Sequence, residues 1–220
     1  MNPLQTRMAT VGLQALADRG FVLAGGYALQ AHGYGHRESD DIDLFTDDLD
    51  PTHFTESVEQ LVSAYQAAGL RTEVTRQVAT FARIVVTDVD GSSAKADLGT
   101  DHRQLPPATT EIGPVLAEQD AIGSKVGALY SRLEPRDLID VQAVLDSGRY
   151  DGDGLLALAD RREVTPLDRE MFAGQLRAGA RLPDSGFLQY GATPELIARI
   201  RDTARRWADR LNRPSGKMDA

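Results

Sequence analysis

Apolar residues recur at near-helical spacing through residues 4–18 (Met8, Val11, Leu13, Leu16, Ala17), and Gly20 stands where a helix C-cap would. Phe21-Val22-Leu23-Ala24 then forms an unbroken apolar run of the length of a buried strand, which leads directly into Gly25-Gly26. A short helical pattern follows (Tyr27, Ala28, Leu29, Ala31). After it, Asp41-Ile42-Asp43-Leu44-Phe45 alternates with the two-residue period of a strand. That period sends Ile42 and Leu44 to the core and sets the two carboxylates on the other face, about 6–7 Å apart along the backbone. Residues 47–51 read as a polar turn and residues 53–68 as an amphipathic helix (Phe54, Val58, Leu61, Val62, Tyr65) ended by Gly69. Residues 70–75 alternate, residues 80–87 are rich in β-branched side chains, and Asp90-Gly91 is a hairpin-type turn into residues 94–98. The pattern predicts an α/β opening, β-α-β-α, with a small mixed sheet.

From about residue 104 the character changes. Pro106-Pro107 and Gly113-Pro114 predict a loop, and the chain after Glu118 reads helical. The expected organisation is a sheet domain over 1–103, a connecting loop over 104–117, a helical part over 118–211 and a disordered tail over 212–220. On the helix expected over 120–132, Lys125 and Arg132 lie seven apart and so project from nearly one face; Asp137 and Asp140, three apart, do the same on the next helix. Residues 148–154 form a polar break and residues 183–186 a loop. A long helix over 194–211 opens with Pro194 in its first turn and Glu195 near the positive end of its dipole.

Composition narrows the class. Across 220 residues, 41% hydrophobic and 26% charged content are those of a folded globular chain, which excludes extensive disorder. The absence of cysteine removes disulfides, thiol nucleophiles and cysteine-ligated zinc. No signal-peptide core and no run of 18 apolar residues is present, so a cytoplasmic, non-membrane protein is expected. A net charge of −9 argues against nucleic-acid binding over the whole surface. Locally the sign reverses: Arg199, Arg201, Arg205, Arg206, Arg210, Arg213 and Lys217 stand against Asp202 and Asp209, either a solvated helix face or an RNA-facing patch.

The candidate chemistry lies at the start. Carboxylates side by side repel unless a cation sits between them, and a hard divalent ion suits such oxygen donors. Gly25-Gly26 leaves no Cβ atoms in the way and leads into the first free N–H groups of a helix, a place for a phosphate. Asp97, between Ala96 and Leu98 on the last strand, is the candidate third carboxylate, as a metal ligand or as acceptor of a proton, with Asp88 and Asp101 as competitors. Alone, a Gly-Gly is ordinarily a turn and an Asp-x-Asp a solvated strand end. The four histidines (His32, His36, His53, His102) show no metal-ligand spacing.

With Ser39 two residues before Asp41, the order glycine pair, helix, Ser-x-Asp-x-Asp resembles the signature of the DNA-polymerase-β-like nucleotidyltransferases. The local form, Gly25-Gly26 and then His36-Arg37-Glu38-Ser39-Asp40-Asp41-Ile42-Asp43-Leu44-Phe45, resembles the AbiEii/AbiGii-type (MenT-like) toxin nucleotidyltransferases. Lys125-x-x-Ala128-Leu129-x-x-Arg132 followed by Arg136-Asp137-x-x-Asp140 is similar to the helical half of that signature, so the resemblance runs in order over residues 25–140.

The resemblance implies a polymerase-β-like nucleotidyltransferase fold, with Asp41, Asp43 and Asp97 at one edge of the sheet and a helical C-terminal half closing over a nucleotide. It assigns Asp41, Asp43, Lys125 and Asp140 to catalysis, and Gly25, Gly26, Arg37 and Ser39 to the nucleotide. Mg²⁺, with Mn²⁺ as the alternative, falls to Asp41, Asp43 and Asp97. In this reading Lys125 balances phosphate charge and Asp140 orients it. An acceptor hydroxyl then displaces pyrophosphate from an NTP in line. The implied role is a toxin of a toxin–antitoxin or phage-defence pair that adds nucleotides to the 3′ end of tRNA and blocks translation, with a cognate antitoxin as partner and the basic stripe at residues 199–213 holding the RNA. Two other readings stay open: a small-molecule nucleotidyltransferase of the aminoglycoside-adenylating kind, and a non-catalytic interaction protein on the same fold.

Overall fold

The computed structural model describes residues 1–212. The chain divides into two compact units, Met1–Ala121 and Ile122–Ala220. The expected tail beyond residue 212, with Arg213 and Lys217, lies outside the described residues.

The first unit opens with α1 (Pro3–Ala15), held at its start by a reciprocal cap: the Asn2 side chain accepts from the Gln5 N–H at 2.9 Å while the Gln5 side chain accepts from the Asn2 N–H at 3.1 Å. A 3-10 turn (Ala17–Arg19) follows, and Gly20 reverses the chain in the left-handed region, φ 70°. Strand β1 (Val22–Leu23) is shorter than the apolar run because helix α2 (Gly25–Ala31) starts at once. After α2 come β2 (Asp41–Thr46), α3 (Pro51–Ala67), β3 (Arg71–Val78), β4 (Phe81–Thr87) and β5 (Ser93–Thr100).

Residues 104–117, expected as a connecting loop, instead add β6 (Ala108–Thr109) and β7 (Pro114–Val115) to the sheet. The Gly113-Pro114 pair that reads as loop closes the hairpin between them, with Gly113 at φ 135°. The sheet runs β3-β4-β5-β2-β1-β7-β6, with β2·β5 and β1·β7 parallel and the other pairs antiparallel.

One register decides what each face carries. Ile42, Ala96 and Ile84 lie in one row across β2, β5 and β4, and Leu44, Leu98 and Ala82 in another; all six are fully buried. Helices α1 and α3 pack on this apolar side, closely enough that a Cβ on Gly12 would stand 2.8 Å from Leu44 Cδ1 and 3.3 Å from Leu61 Cδ1. The intervening row, Asp43, Asp97 and Arg83, points the other way, as the pleat requires.

The second unit is helical: α4 (Glu118–Ser131, which begins at the end of the first unit), α5 (Pro135–Asp146), α6 (Gly152–Asp160), α7 (Arg169–Gly179), α8 (Asp184–Leu188) and α9 (Pro194–Leu211). Its core gathers Leu129, Leu138, Leu155, Phe172, Leu176, Phe187, Ile197, Ile200 and Trp207. Phe172 meets Trp207 edge to face, centroids 5.2 Å apart. Residues 183–186, expected as a loop, open α8 instead: Phe187 is fully buried, and burying it fixes the short helix that presents it.

Candidate active site

Strand β2 carries Asp41 and Asp43 on one face, and the parallel register sets Asp97 of β5 directly beside Asp43. Each of the three side chains offers a carboxylate oxygen, and these atoms all lie within 4.8 Å of one another. Two like charges at that distance repel by about 3.5 kcal/mol at an effective dielectric of ~20. Asp41 and Asp97 are nevertheless buried, so their solvation by water is largely gone as well. Three hard oxygen donors converging on one point fit a divalent cation such as Mg²⁺.

Each carboxylate is held in place. The Ser39 hydroxyl donates to Asp41 Oδ1 at 3.1 Å. Ser39 is positioned in turn through its backbone: its carbonyl accepts from Gln5 Nε2 at 2.7 Å, and its N–H donates to the Tyr27 hydroxyl at 3.3 Å. Tyr27 itself donates to Gln5 Oε1 at 2.5 Å, so a buried network ties α1 and α2 to the segment entering β2. Burial raises the Tyr27 phenol above its ordinary pKa, which keeps it a neutral donor.

Asp43 lies against the glycine pair. A Cβ on Gly25 would stand 1.8 Å from Asp43 Oδ2 and 2.6 Å from its Cγ, and Gly25 has φ 59°. No other residue type fits there, by space or by backbone. A Cβ on Gly26 would stand 3.0 Å from Arg37 Nη2 and 3.4 Å from Ser39 Oγ, which places Arg37 and Ser39 beside the glycines. Gly25, Gly26, Arg37, Ser39, Asp41, Asp43 and Asp97 are therefore brought together in the first unit. The Ser39 hydroxyl bonds the Asp41 carboxylate and so orients it.

Arg83 completes the row and was missed in the sequence. Its Nε and Nη2 donate to Asp97 Oδ1 and Oδ2 at 2.7 and 2.5 Å, a two-pronged grip on the third carboxylate. The signal was present. Pairing about the Asp90-Gly91 turn sets Thr87 opposite Ser93 and, counting back, Arg83 opposite Asp97.

Lys125 and Asp140 stand in the second unit. Lys125 Nζ lies 3.0 Å from Asp140 Oδ2 and 3.2 Å from Asp137 Oδ1, and all three residues are buried, Asp137 completely. Arg132 closes the group with Nε and Nη2 each 2.9 Å from Asp137. Burial pushes the Asp137 carboxyl up, but Arg132 and Lys125 together outweigh it and hold the group below the usual carboxylate range. The Lys-x₆-Arg spacing thus converges on Asp137, a residue to which the sequence alone assigns no role. Lys125, Asp137 and Asp140 form a buried ion group, with exposed Arg132 at its edge.

The basic stripe is largely neutralised. Arg199 pairs with Asp146 at 2.9 Å, Arg201 with Asp184 at 2.5 Å and Arg206 with Asp202 at 2.6 Å. Arg199, Arg206 and Arg210 line a cleft of about 860 Å³ whose walls also carry Asp146, Asp151, Asp202 and Asp209, so its charge is mixed. Among the described residues no helix is long and apolar enough to cross a membrane.

Over residues 12–216 the chain matches the family model described as Nucleotidyl transferase AbiEii toxin, Type IV TA system. Among solved structures it is similar to MenT4, a nucleotidyltransferase toxin from Mycobacterium tuberculosis (21% identity, 93% of this chain and 86% of that one, TM-score 0.58). It is also similar to a putative nucleotidyltransferase from H. pylori (18%, 96% of each chain, TM-score 0.53) and to JHP933 from Helicobacter pylori (18%, 94% and 90%, TM-score 0.52). At these identities the likeness shows a shared fold. A search of curated proteins found no match.

Proposed function

Because the chain belongs to the AbiEii family of nucleotidyltransferase toxins, we propose that it transfers nucleotides from an NTP to the 3′ end of tRNA and so blocks translation, with Asp41, Asp43 and Asp97 holding Mg²⁺. The observation that supports the metal reading is the convergence of three carboxylates within 4.8 Å. Bound there, a divalent ion would supply charge neutralisation at the phosphate oxygens and orient the phosphoryl group for in-line displacement of pyrophosphate.

The chain's own part is positioning. Ser39 aims Asp41, the bare backbone of Gly25 admits the Asp43 carboxylate, and Arg83 aims Asp97. Arg37, beside Gly26, supplies positive charge for the outer phosphates, and the glycine pair lets them approach the backbone. Lys125 is assigned to phosphate charge, with Asp140, 3.0 Å from its ammonium, orienting it. Such a toxin acts in the cytoplasm, where NTPs and tRNA are found, and is restrained by a cognate antitoxin.

Each α-labelled NTP, supplied with Mg²⁺ to total RNA and in parallel to an aminoglycoside panel, tests the reading. Label in the tRNA band that vanishes with Asp43→Asn is expected. Label on an aminoglycoside alone overturns the tRNA assignment, and undiminished transfer by Asp43→Asn overturns the metal site.

A further inference from the structure

We propose that Arg83 is the resident counter-cation of the acidic cluster: its grip on Asp97 steadies the metal-free site and holds down that site's affinity for a divalent ion. The inference rests on the metal reading above and adds to it a residue outside the signature motifs.

Three observations carry it. Asp97 is buried, and Arg83 takes both of its oxygens, at 2.7 and 2.5 Å. A carboxylate offers about four lone-pair sites and a two-pronged guanidinium uses two, so Asp97 keeps acceptor capacity toward Asp41 and Asp43. The register sets Arg83 in one cross-strand row with Asp97 and Asp43, and the three carboxylates lie within 4.8 Å of one another, so the guanidinium charge acts on the whole cluster. One positive charge against three negative leaves two, the charge of one divalent ion.

Arg83 is also placed to yield. Its side chain is 38% exposed where Asp97 is 7%. Its guanidinium carbon lies 5.8 Å from the centre of the Phe81 ring, against which it can rest while remaining charged. An arriving ion therefore competes with a group that is already there and half in water. Even with the screening of bulk water, one unit charge about 5 Å from a divalent ion changes its affinity roughly tenfold.

The test is titration of the metal-free protein with Mn²⁺ alone, followed by electron paramagnetic resonance, beside thermal melting with and without Mn²⁺. Arg83→Met is expected to bind Mn²⁺ about tenfold tighter, to melt lower than wild type without metal, and to recover with it. Arg83→Lys keeps the charge and is expected within about threefold of the wild-type affinity. If Arg83→Met is unfolded without metal, refolding on Mn²⁺ supports the proposal and failure to refold overturns it. Equal Mn²⁺ affinity in wild type and Arg83→Met overturns the role of Arg83 while leaving the metal site standing. No Mn²⁺ binding by either protein overturns both.

Discussion

Gly25→Ala is the sharpest perturbation the site offers. An added Cβ would meet Asp43 Oδ2 at 1.8 Å, and restoring an ordinary contact of 3.4 Å needs about 1.6 Å of movement. The carboxylate is the part free to move, because the β2 backbone is fixed by its pairing with β1 and β5. A displacement of ~1 Å in a reacting constellation costs about 100-fold in rate, so turnover is expected to fall by about that factor or more.

The stability cost is separate and smaller. At φ 59° an alanine pays about 1–2 kcal/mol for the left-handed conformation. For a chain of this size that lowers the melting temperature by about 2–8 °C. Gly26→Ala is the internal control: its Cβ comes tightest on the end of the Arg37 side chain, at 3.0 Å, which can swing aside, and meets Ser39 Oγ at an ordinary 3.4 Å. It should raise the nucleotide KM more than it lowers kcat. Pyrophosphate release, measured well below the melting temperature of each variant, reads the comparison. A Gly25→Ala protein within threefold of wild-type turnover would refute the placement of Asp43 in the reaction.

Lys125→Ala removes the ammonium that lies 3.0 Å from buried Asp140 and should cost about 3 kcal/mol of stability; the double variant with Asp140→Ala should lose less than the sum of the two, and additive losses in chemical denaturation would show that the pair does not act as a unit. Asp137 has its pKa lowered on folding, so its contribution is present above the unfolded value of 3.8 and disappears as pH falls through the folded one. Melting curves from pH 7 down to 3 should show that loss below about pH 4, and a shallower slope there for Asp137→Asn. Ser39→Ala removes the hydrogen bond that orients Asp41 and is expected to lower kcat about tenfold at unchanged nucleotide KM; a change confined to KM would instead place Ser39 on the phosphates. If α9 holds the RNA, charge reversal at Arg206 and Arg210 should weaken transfer to tRNA and flatten its salt dependence. Transfer indifferent to both reversals removes α9 from the acceptor site.

The elements legible in the sequence were those with a strong period. Alternation in β2 separated Asp41 and Asp43 from Ile42 and Leu44, and the structure buries both apolar residues fully. The long helix over residues 194–211 announced itself through Pro194 in its first turn and Glu195 near the positive end of its dipole, and α9 has those bounds. Strands β6 and β7 were illegible because two-residue strands have no period to show. Their proline- and glycine-rich surroundings read as loop, whereas β7 is made a strand by pairing with β1, far away in the chain, and β6 by pairing in turn with β7. Helix α8 was hidden likewise, since five residues are fewer than two turns and Phe187 alone signals its burial.

The site divided along the same physical line. Residues that depend on local geometry could be found from spacing: the glycine pair, Ser39 and the paired aspartates all lie within 19 residues of one another. Asp97 needed a long-range pairing: asking Ala96 and Leu98 to face the same core as Ile42 and Leu44 puts Asp97 on the face of Asp43, but only the parallel β2·β5 register sets the two side by side. Arg83 needed one step more. Charge on a strand is ordinarily read as a solvent-facing side chain, and only the count about the Asp90-Gly91 turn turns it into a partner for Asp97. Asp137 and the arginines of α9 were beyond such counting. Helical spacing says which residues share a face, but whether that face is buried, or already answered by aspartates from α5 and α8, is decided by how helices pack. Within that basic segment, Arg199, Arg201 and Arg206 each hold an aspartate in the fold. An RNA backbone would have to displace those aspartates, and the arginine reversals measure whether it does.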